Sequence, residues 1–279
     1  MLAVDELKRL QQEAAEVRKA AIKMATRAGT GHLGPALGIT DVMWVLYSRH
    51  LKYDPQNPSW PERDRVILSK GHSCLALYAV LAKKGFFDEE LLKTYCRQLN
   101  TKLGGHPERD LPGVEANTGS LGHGFNIGIG MALAAKVDRK DYKVYAILGD
   151  GETQEGSIWE GAMAAAHYGL DNLVAIVDRN NLQVSNFVDR VMNIEPLADK
   201  WASFGWAVRE IDGHDYQQID TALRAVPFIT GKPSVIIAKT VKGKGLPIAE
   251  NKVEWHHKVP TAEEYQAMDQ LLNLGSLED

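Results

Sequence analysis

Cysteine is nearly missing from this sequence. Two thiols, Cys74 and Cys96, in 279 residues cannot build a disulfide scaffold, and neither stands in a C-x-x-C pair. Both are expected to do packing work in a reducing cytoplasm. No apolar run approaches the ~20 residues of a membrane span, and the segment MLAVDELKRLQQEAAEVRKA reads as a charged helix, not a signal peptide. Charge of one sign is lacking too: the formal net charge of −4 gives no reason to expect nucleic acid or an anionic membrane as partner. What is present is an ordinary globular mixture, 44% hydrophobic and 24% charged, long enough to bury a sizeable core.

The order of elements follows from periodicity. Residues 5–28 carry apolar positions at three- and four-residue spacing among Ala, Glu, Lys and Leu, which predicts a helix. GTGHLGPALG (29–38), with four glycines and a proline, is expected to break it before a second helix over about 39–50. DRVILSK (64–70) reads as a short buried strand followed by a helix starting near His72. Residues 103–124 form a long Gly/Pro-rich stretch, and loops of that length inside a compact domain are usually functional. Strands at 142–148, 172–178, 206–212 and 233–239 then alternate with helices at about 155–168, 195–203 and 215–226. Nearly continuous apolar strands between helices predict an α/β fold, a three-layer parallel sheet with helices on both faces, in a single domain. Ligands of such a sheet lie at the carboxyl ends of its strands.

The stretch AILGDGETQEGSIWEG (146–161) runs from an apolar strand into a glycine turn bearing Asp150. After GDG come 28 residues and then NNLQVS, which places Asn180 just past the next strand. If the two strands are near neighbours, both side chains emerge on one edge. A carboxylate oxygen, an amide oxygen and a backbone carbonyl just beyond make a hard donor set that suits Mg²⁺ or Ca²⁺ better than zinc. So few protein ligands leave the other positions to phosphate and water. Gly149 and Gly151 allow close approach to a phosphate beside a helix N-terminus near 155. Singly, GDG and NN are common turn chemistry. On successive strand ends they point jointly to a metal–phosphate site. TGSLGHGFNIGIGMALAAK (118–136) lacks the preceding strand and the spacing of a dinucleotide fingerprint, and reads as a loop feeding a close-packed helix.

The GDG…NN pair resembles the diphosphate-binding motif of thiamine-diphosphate enzymes. GTGHLGPALG, SKGHSCLALY, LGGHPE, TGSLGHG, GDGETQEGSIWEG and KTVKGKG…VEWHH follow the order and about the spacing of the cofactor-binding domain of transketolases. The likeness spans essentially the whole chain. It implies the thiamine-diphosphate-binding fold (a PP domain over 1–279), with thiamine diphosphate and Mg²⁺ as cofactors and Ca²⁺ or Mn²⁺ as substitutes. The metal would be held by Asp150, Asn180 and the Leu182 carbonyl. His72 and Gly151 would contact the diphosphate, Gly119, Ser120 and Leu121 would line the rings, and Lys242 and His256 would lie near the cofactor. The reaction implied is transfer of a two-carbon ketol group, carried as a carbanion on the cofactor, from a ketose phosphate to an aldose phosphate in carbohydrate metabolism.

Of nine histidines, His50, His123, His167 and His214 read as surface or capping groups, with DGHD around His214 opening a helix. His32, His72, His106 and His256 lie in glycine-bearing segments that match the family, which implies that they crowd the reactive carbon. Imidazoles suit that place because they hydrogen-bond hydroxyls and move protons near neutral pH. His257 stands where the family usually has glycine. Glu155 and Glu160, five apart on one helix, are solvated carboxylates by position alone. The resemblance implies that they link two active centres across a dimer interface.

The resemblance implies a need for a glutamate on a pyrimidine-binding domain as well, and that domain is expected on a partner chain. The expectation is a split enzyme in which this chain pairs with a C-terminal subunit, two copies of each, with self-association across the cofactor site. Trp159 and Trp255 are candidate interface anchors. The alternatives are one subunit of a deoxyxylulose-phosphate synthase-like enzyme, one of a two-oxo-acid dehydrogenase-like enzyme, or a non-catalytic cofactor-binding homologue. SKGH with GGHPE favours transketolase over the first, and GTGHLGPALG argues against the second.

Overall fold

The computed structural model describes residues 2–97 and 101–277. In chain order the elements are α1 (Val4–Ala28), α2 (Leu33–Val45), β1 (Arg65–Leu68), α3 (Cys74–Lys83), α4 (His123–Val137), β2 (Val144–Gly149), α5 (Gly156–His167), β3 (Leu173–Arg179), the single turn α6 (Val188–Val191), α7 (Leu197–Ser203), β4 (Ala207–Asp212), α8 (Tyr216–Arg224), β5 (Ser234–Lys239) and α9 (Ala262–Leu272). The strands pair in the order β1-β2-β3-β5-β4, all parallel. No helix among the described residues is long and apolar enough to cross a membrane.

Alternation along each strand divides the interior in two. Tyr145, Ile147, Val174, Ile176, Ile236 and Ala238 face a core shared with α1, α2, α3 and α8. Val144, Ala146, Leu148, Ala175, Val177, Val235 and Ile237 face a second core with α4, α5 and α7. Because both faces are dry, the strands read as unbroken apolar runs instead of alternating ones. The three-layer α/β architecture expected from the sequence is the one observed.

The second helix differs from expectation. It starts at Leu33 inside the glycine segment, ends at Val45, and passes into a π-helical turn, Leu46–His50. Pro35 falls in its first turn, where backbone N–H groups have no intrahelical partner, so it does not break the helix. All 13 residues of α2 are buried. The glycines serve close packing here: a Cβ on Gly34 would lie 2.4 Å from the Trp255 carbonyl oxygen.

Three other expectations, for Trp255, Cys96 and His214, need correction. Trp255 is a core residue, 2% exposed, and not an interface anchor. Trp159 is half-buried, donates from Nε1 to the Thr153 carbonyl at 2.7 Å, and packs on Trp201. Cys74 is buried as expected, whereas Cys96 is exposed with φ +50° and does no core packing. His214 is not a cap, since Asp215 caps α8 by accepting from the Gln217 and Gln218 amides.

His214 instead belongs to a buried cluster that ties α1, α2 and α8 together. Arg18 grips Asp41 with two hydrogen bonds, at 2.8 and 2.7 Å, and His214 Nδ1 lies 2.8 Å from the same carboxylate. The Tyr216 hydroxyl donates to Asp41 as well, while His214 Nε2 accepts from the Val241 amide. His50 likewise reaches buried Asp220 at 3.0 Å, whereas His123 and His167 are exposed.

Burial alone would raise the Asp41 pKa, but Arg18, His214 and Tyr216 outweigh it and hold the carboxylate well below its ordinary range. Its stabilising contribution is therefore complete above the unfolded carboxylate value and lost only as pH falls through the depressed folded one. Asp41→Asn leaves Arg18 buried without a countercharge and should cost about 3–5 kcal/mol in urea unfolding at pH 7. The gap to wild type should narrow only toward strong acid.

Candidate functional site

The carboxyl edge of the sheet is set by register. β2 and β3 pair from Val144↔Leu173 to Gly149↔Asp178, and β3 runs one residue further to Arg179, so the two strands finish within one residue of each other. Asp150 therefore emerges beside Asn180, one residue past each strand end. The Asp150 carboxylate accepts from the Asn181 amide at 2.6 Å, from the Gly151 amide at 2.8 Å and from Arg179 at 3.2 Å. The Asn180 side-chain oxygen accepts from the Leu182 amide at 3.1 Å.

Beneath them lies a buried network that sequence reading did not identify. Lys70, 1% exposed, ion-pairs with fully buried Asp178, which also accepts from the Thr240 hydroxyl and from the Asn180 amide nitrogen at 3.1 Å. Asp178 thereby orients the Asn180 amide, nitrogen inward. Glu152, also buried, accepts from the Ser69 hydroxyl, the Gly122 amide and the Gly149 amide, and so fastens the 119–122 loop to the GDG turn. Lys70 and Glu152 were legible only as members of SKGH and GDGE. Nothing in their spacing marks a charge as buried.

A cleft of about 400 Å³ opens at this edge. It brings together His32, His72, His106, Gly119, Leu121, Asp150, Gly151, Glu155, Asn180, Leu182, Lys242 and His256. Gln183 and Val184, neither foreseen, line it as well. Ser120 and Glu160 stay outside the lining: both are exposed, and Ser120 contributes its carbonyl to the His123 amide. His256 lines the cleft, whereas His257 is exposed at its margin. Gly119 sits at φ +147°, and a Cβ there would come within 2.9 Å of the His106 ring. Only glycine permits both that backbone and that approach.

The histidines touch one another. His72 and His256 stack at 5.2 Å, and both meet His32, at 5.3 and 5.4 Å. Burial, together with neighbouring imidazoles and lysines, lowers His32 to about 4 and His256 to about 3, and holds His72 well below its ordinary value. At neutral pH these three rings are uncharged, so each can accept one hydrogen bond and donate another. Lys242, fully buried, sits 2.7 Å from His256 Nδ1 and 3.3 Å from the Leu182 carbonyl. Burial, then the nearby Lys70, lowers Lys242 to about 8.

The donor set fits a divalent cation and a diphosphate. Burial and the neighbouring Asp178 push Asp150 up to about 6, so this carboxylate lacks sufficient positive charge in the chain alone. Asp150, Asn180 and Leu182 offer only oxygens, the ligands of Mg²⁺, Mn²⁺ or Ca²⁺. Gln183 Nε2, buried in the cleft beside Gly151, has no hydrogen-bond partner among the described residues. An unpaired buried polar group is costly, so this amide has a donor to offer a bound group.

Residues 10–276 match the family described as transketolase, thiamine diphosphate binding domain. The chain belongs to the transketolase family. It is 44% identical over 257 residues to one of the separate subunits of the apulose-4-phosphate transketolase of Phocaeicola vulgatus, covering 92% of this chain and 91% of that protein. To the 6-deoxy-6-sulfo-D-fructose transketolase subunit of a Clostridium species it is 45% identical, covering 92% and 94%. The crystal structure of transketolase from Campylobacter jejuni superposes with a TM-score of 0.89 at 36% identity, covering 95% of this chain and 43% of that one. This transketolase chain thus spans nearly the whole of the separate subunits and about two fifths of the undivided enzyme.

In this member, Gly34 sets how closely the His256 segment lies against α2. Gly34→Ala forces a methyl group onto the Trp255 carbonyl, an overpacking cost of about 1–3 kcal/mol. That exceeds the ~1 kcal/mol gained from helix propensity. Thermal unfolding should register the net loss, and thiamine diphosphate affinity should weaken with it.

Proposed function

We propose that this chain is the cofactor-binding subunit of a two-chain transketolase that moves a two-carbon ketol group between sugar phosphates. The observation that carries the reading is the meeting of Asp150 and Asn180 at adjacent strand ends, in one cleft with three uncharged histidines. In this reading the whole chain is one PP-type domain. Asp150, Asn180 and the Leu182 carbonyl hold Mg²⁺, and Gly151, Gln183, His72 and Lys242 receive the diphosphate. Gly119, Ser120 and Leu121 lie along the rings. When bound, thiamine diphosphate supplies the nucleophilic carbon that takes up the two-carbon unit.

The chain's own residues then do three things. The packed lining of β2, β3 and α2 excludes water from one side of the cleft. His32, His72 and His256, neutral and in mutual contact, orient the hydroxyls of the ketol fragment and hold or release protons at their ring nitrogens. His106, exposed and seated over Gly119, meets the sugar from the solvent side.

Completion of the site from outside is part of the proposal. A C-terminal transketolase subunit would bring the glutamate that this family requires, as the subunit designation of the two relatives supports. Glu155, at the N-cap of α5, and Glu160, on its second turn, are both exposed, as is Met163 on the same helix. A second copy of the chain packing there would join the two carboxylates to its own and give two copies of each subunit. The complex would act in the cytoplasm on a sugar carrying a terminal phosphate, or the sulfonate that replaces it in one relative. Neither nucleic acid nor a membrane enters the reading.

With its C-terminal partner present, the chain should give a calorimetric heat with magnesium and thiamine diphosphate together, and Asp150→Ala should reduce it to background. An undiminished heat in that variant would rule out the assignment.

A further inference from the structure

The imidazoles of the cleft do not end at His256. His32 is the hub of five rings: besides His72 and His256 it meets His106 at 6.1 Å and His257 at 4.3 Å, edge to face. Exposure rises along the set. His72, His256 and His32 are half-buried, while His106 and His257 are exposed. His257 thus carries the row outward on the side of His32, where the cleft meets solvent.

Two features separate His257 from an ordinary surface histidine. Its backbone is anchored, because the preceding 3₁₀ turn Val253–His256 contains buried Trp255, whose carbonyl is pressed against Gly34, while Lys258 lies 4.5 Å over the indole ring. The ring itself has no protein hydrogen-bond partner among the described residues, whereas His256 beside it is engaged by Lys242. A fixed imidazole with both nitrogens free, set against the site's central histidine, is a preformed contact for an oxygen-rich ligand.

We propose that His257 is a specificity-determining residue that contacts the part of the sugar lying beyond the two transferred carbons. The inference rests on the transketolase reading above. A two-carbon unit held among His72, His256 and His32 leaves the remainder of a longer sugar pointing outward past His32, toward His257. The ligand atoms are hydroxyl or phosphate oxygens, both of which accept from an imidazole N–H. His257 selects for chain length and does not act on the reacting carbon.

The test uses the complex of this chain with its C-terminal partner. It compares three acceptors: glycolaldehyde, too short to reach the rim, D-erythrose and D-erythrose 4-phosphate. His257→Ala should lower the kcat/KM ratio of D-erythrose 4-phosphate over glycolaldehyde about tenfold, the worth of one good hydrogen bond to an anion. The change should be carried by KM, and His257→Gln should recover part of it. A parallel loss with D-erythrose assigns the contact to hydroxyls, and a loss confined to the phosphorylated sugar assigns it to phosphate. Either supports the inference. A ratio within twofold of wild type, or a fall in kcat shared by all acceptors, would overturn it. Absence of transfer by the unmutated complex would instead overturn the function proposed above, and this inference with it.

Discussion

Two parallel strands finishing within one residue of each other underlie the whole site. Because β2 and β3 are hydrogen-bonded through to Gly149↔Asp178, the residues that follow them leave the sheet side by side. Asp150 and Asn180 then share one space, with the Asn181 amide already bonded to the Asp150 carboxylate. A one-residue slip would reverse the faces of every following side chain, and two dry cores, one on each side of the sheet, forbid it. The core thereby fixes the chemistry at its edge.

Charge is handled in the same layered manner. Lys70, which lines the cleft, is neutralised by Asp178 behind it, while Asp150 and Lys242 line the cleft without such a close countercharge between them. Burial works against the charged forms of both of these, raising the acid and lowering the base. Such a pair of groups is poised for a cation and an anion arriving together, as a metal diphosphate does. His32, His72 and His256 remain uncharged for the same reason, and that suits them to hydroxyl groups better than to charged ones.

The apolar strands and the alternation with helices were readable because each depends on neighbours close along the chain, and the GDG…NN spacing because it spans a single helix and strand. Six motifs in order made the transketolase likeness specific. GTGHLGPALG does end the first helix, with Gly29 as a left-handed cap, but the start of the second helix inside it was misplaced because Gly34 answers to a distant carbonyl, that of Trp255, more than 200 positions away. Trp255 and His214 were misplaced for the same kind of reason. An aromatic ring next to a motif and a histidine before a helix look alike whether they face solvent or a buried partner.

By itself, the sequence determined the layered α/β class, the strand tips that bear Asp150 and Asn180, and the histidines that belong to glycine-rich loops. These are properties of local periodicity and spacing. Only the tertiary structure decided that Lys70 meets Asp178, that Glu152 ties two loops, that His256 lines the cleft, and that His257 stands on its rim. Such contacts join residues 14 to 108 positions apart or more, and burial and charge there depend on how whole layers pack. No pattern along the chain encodes that distance.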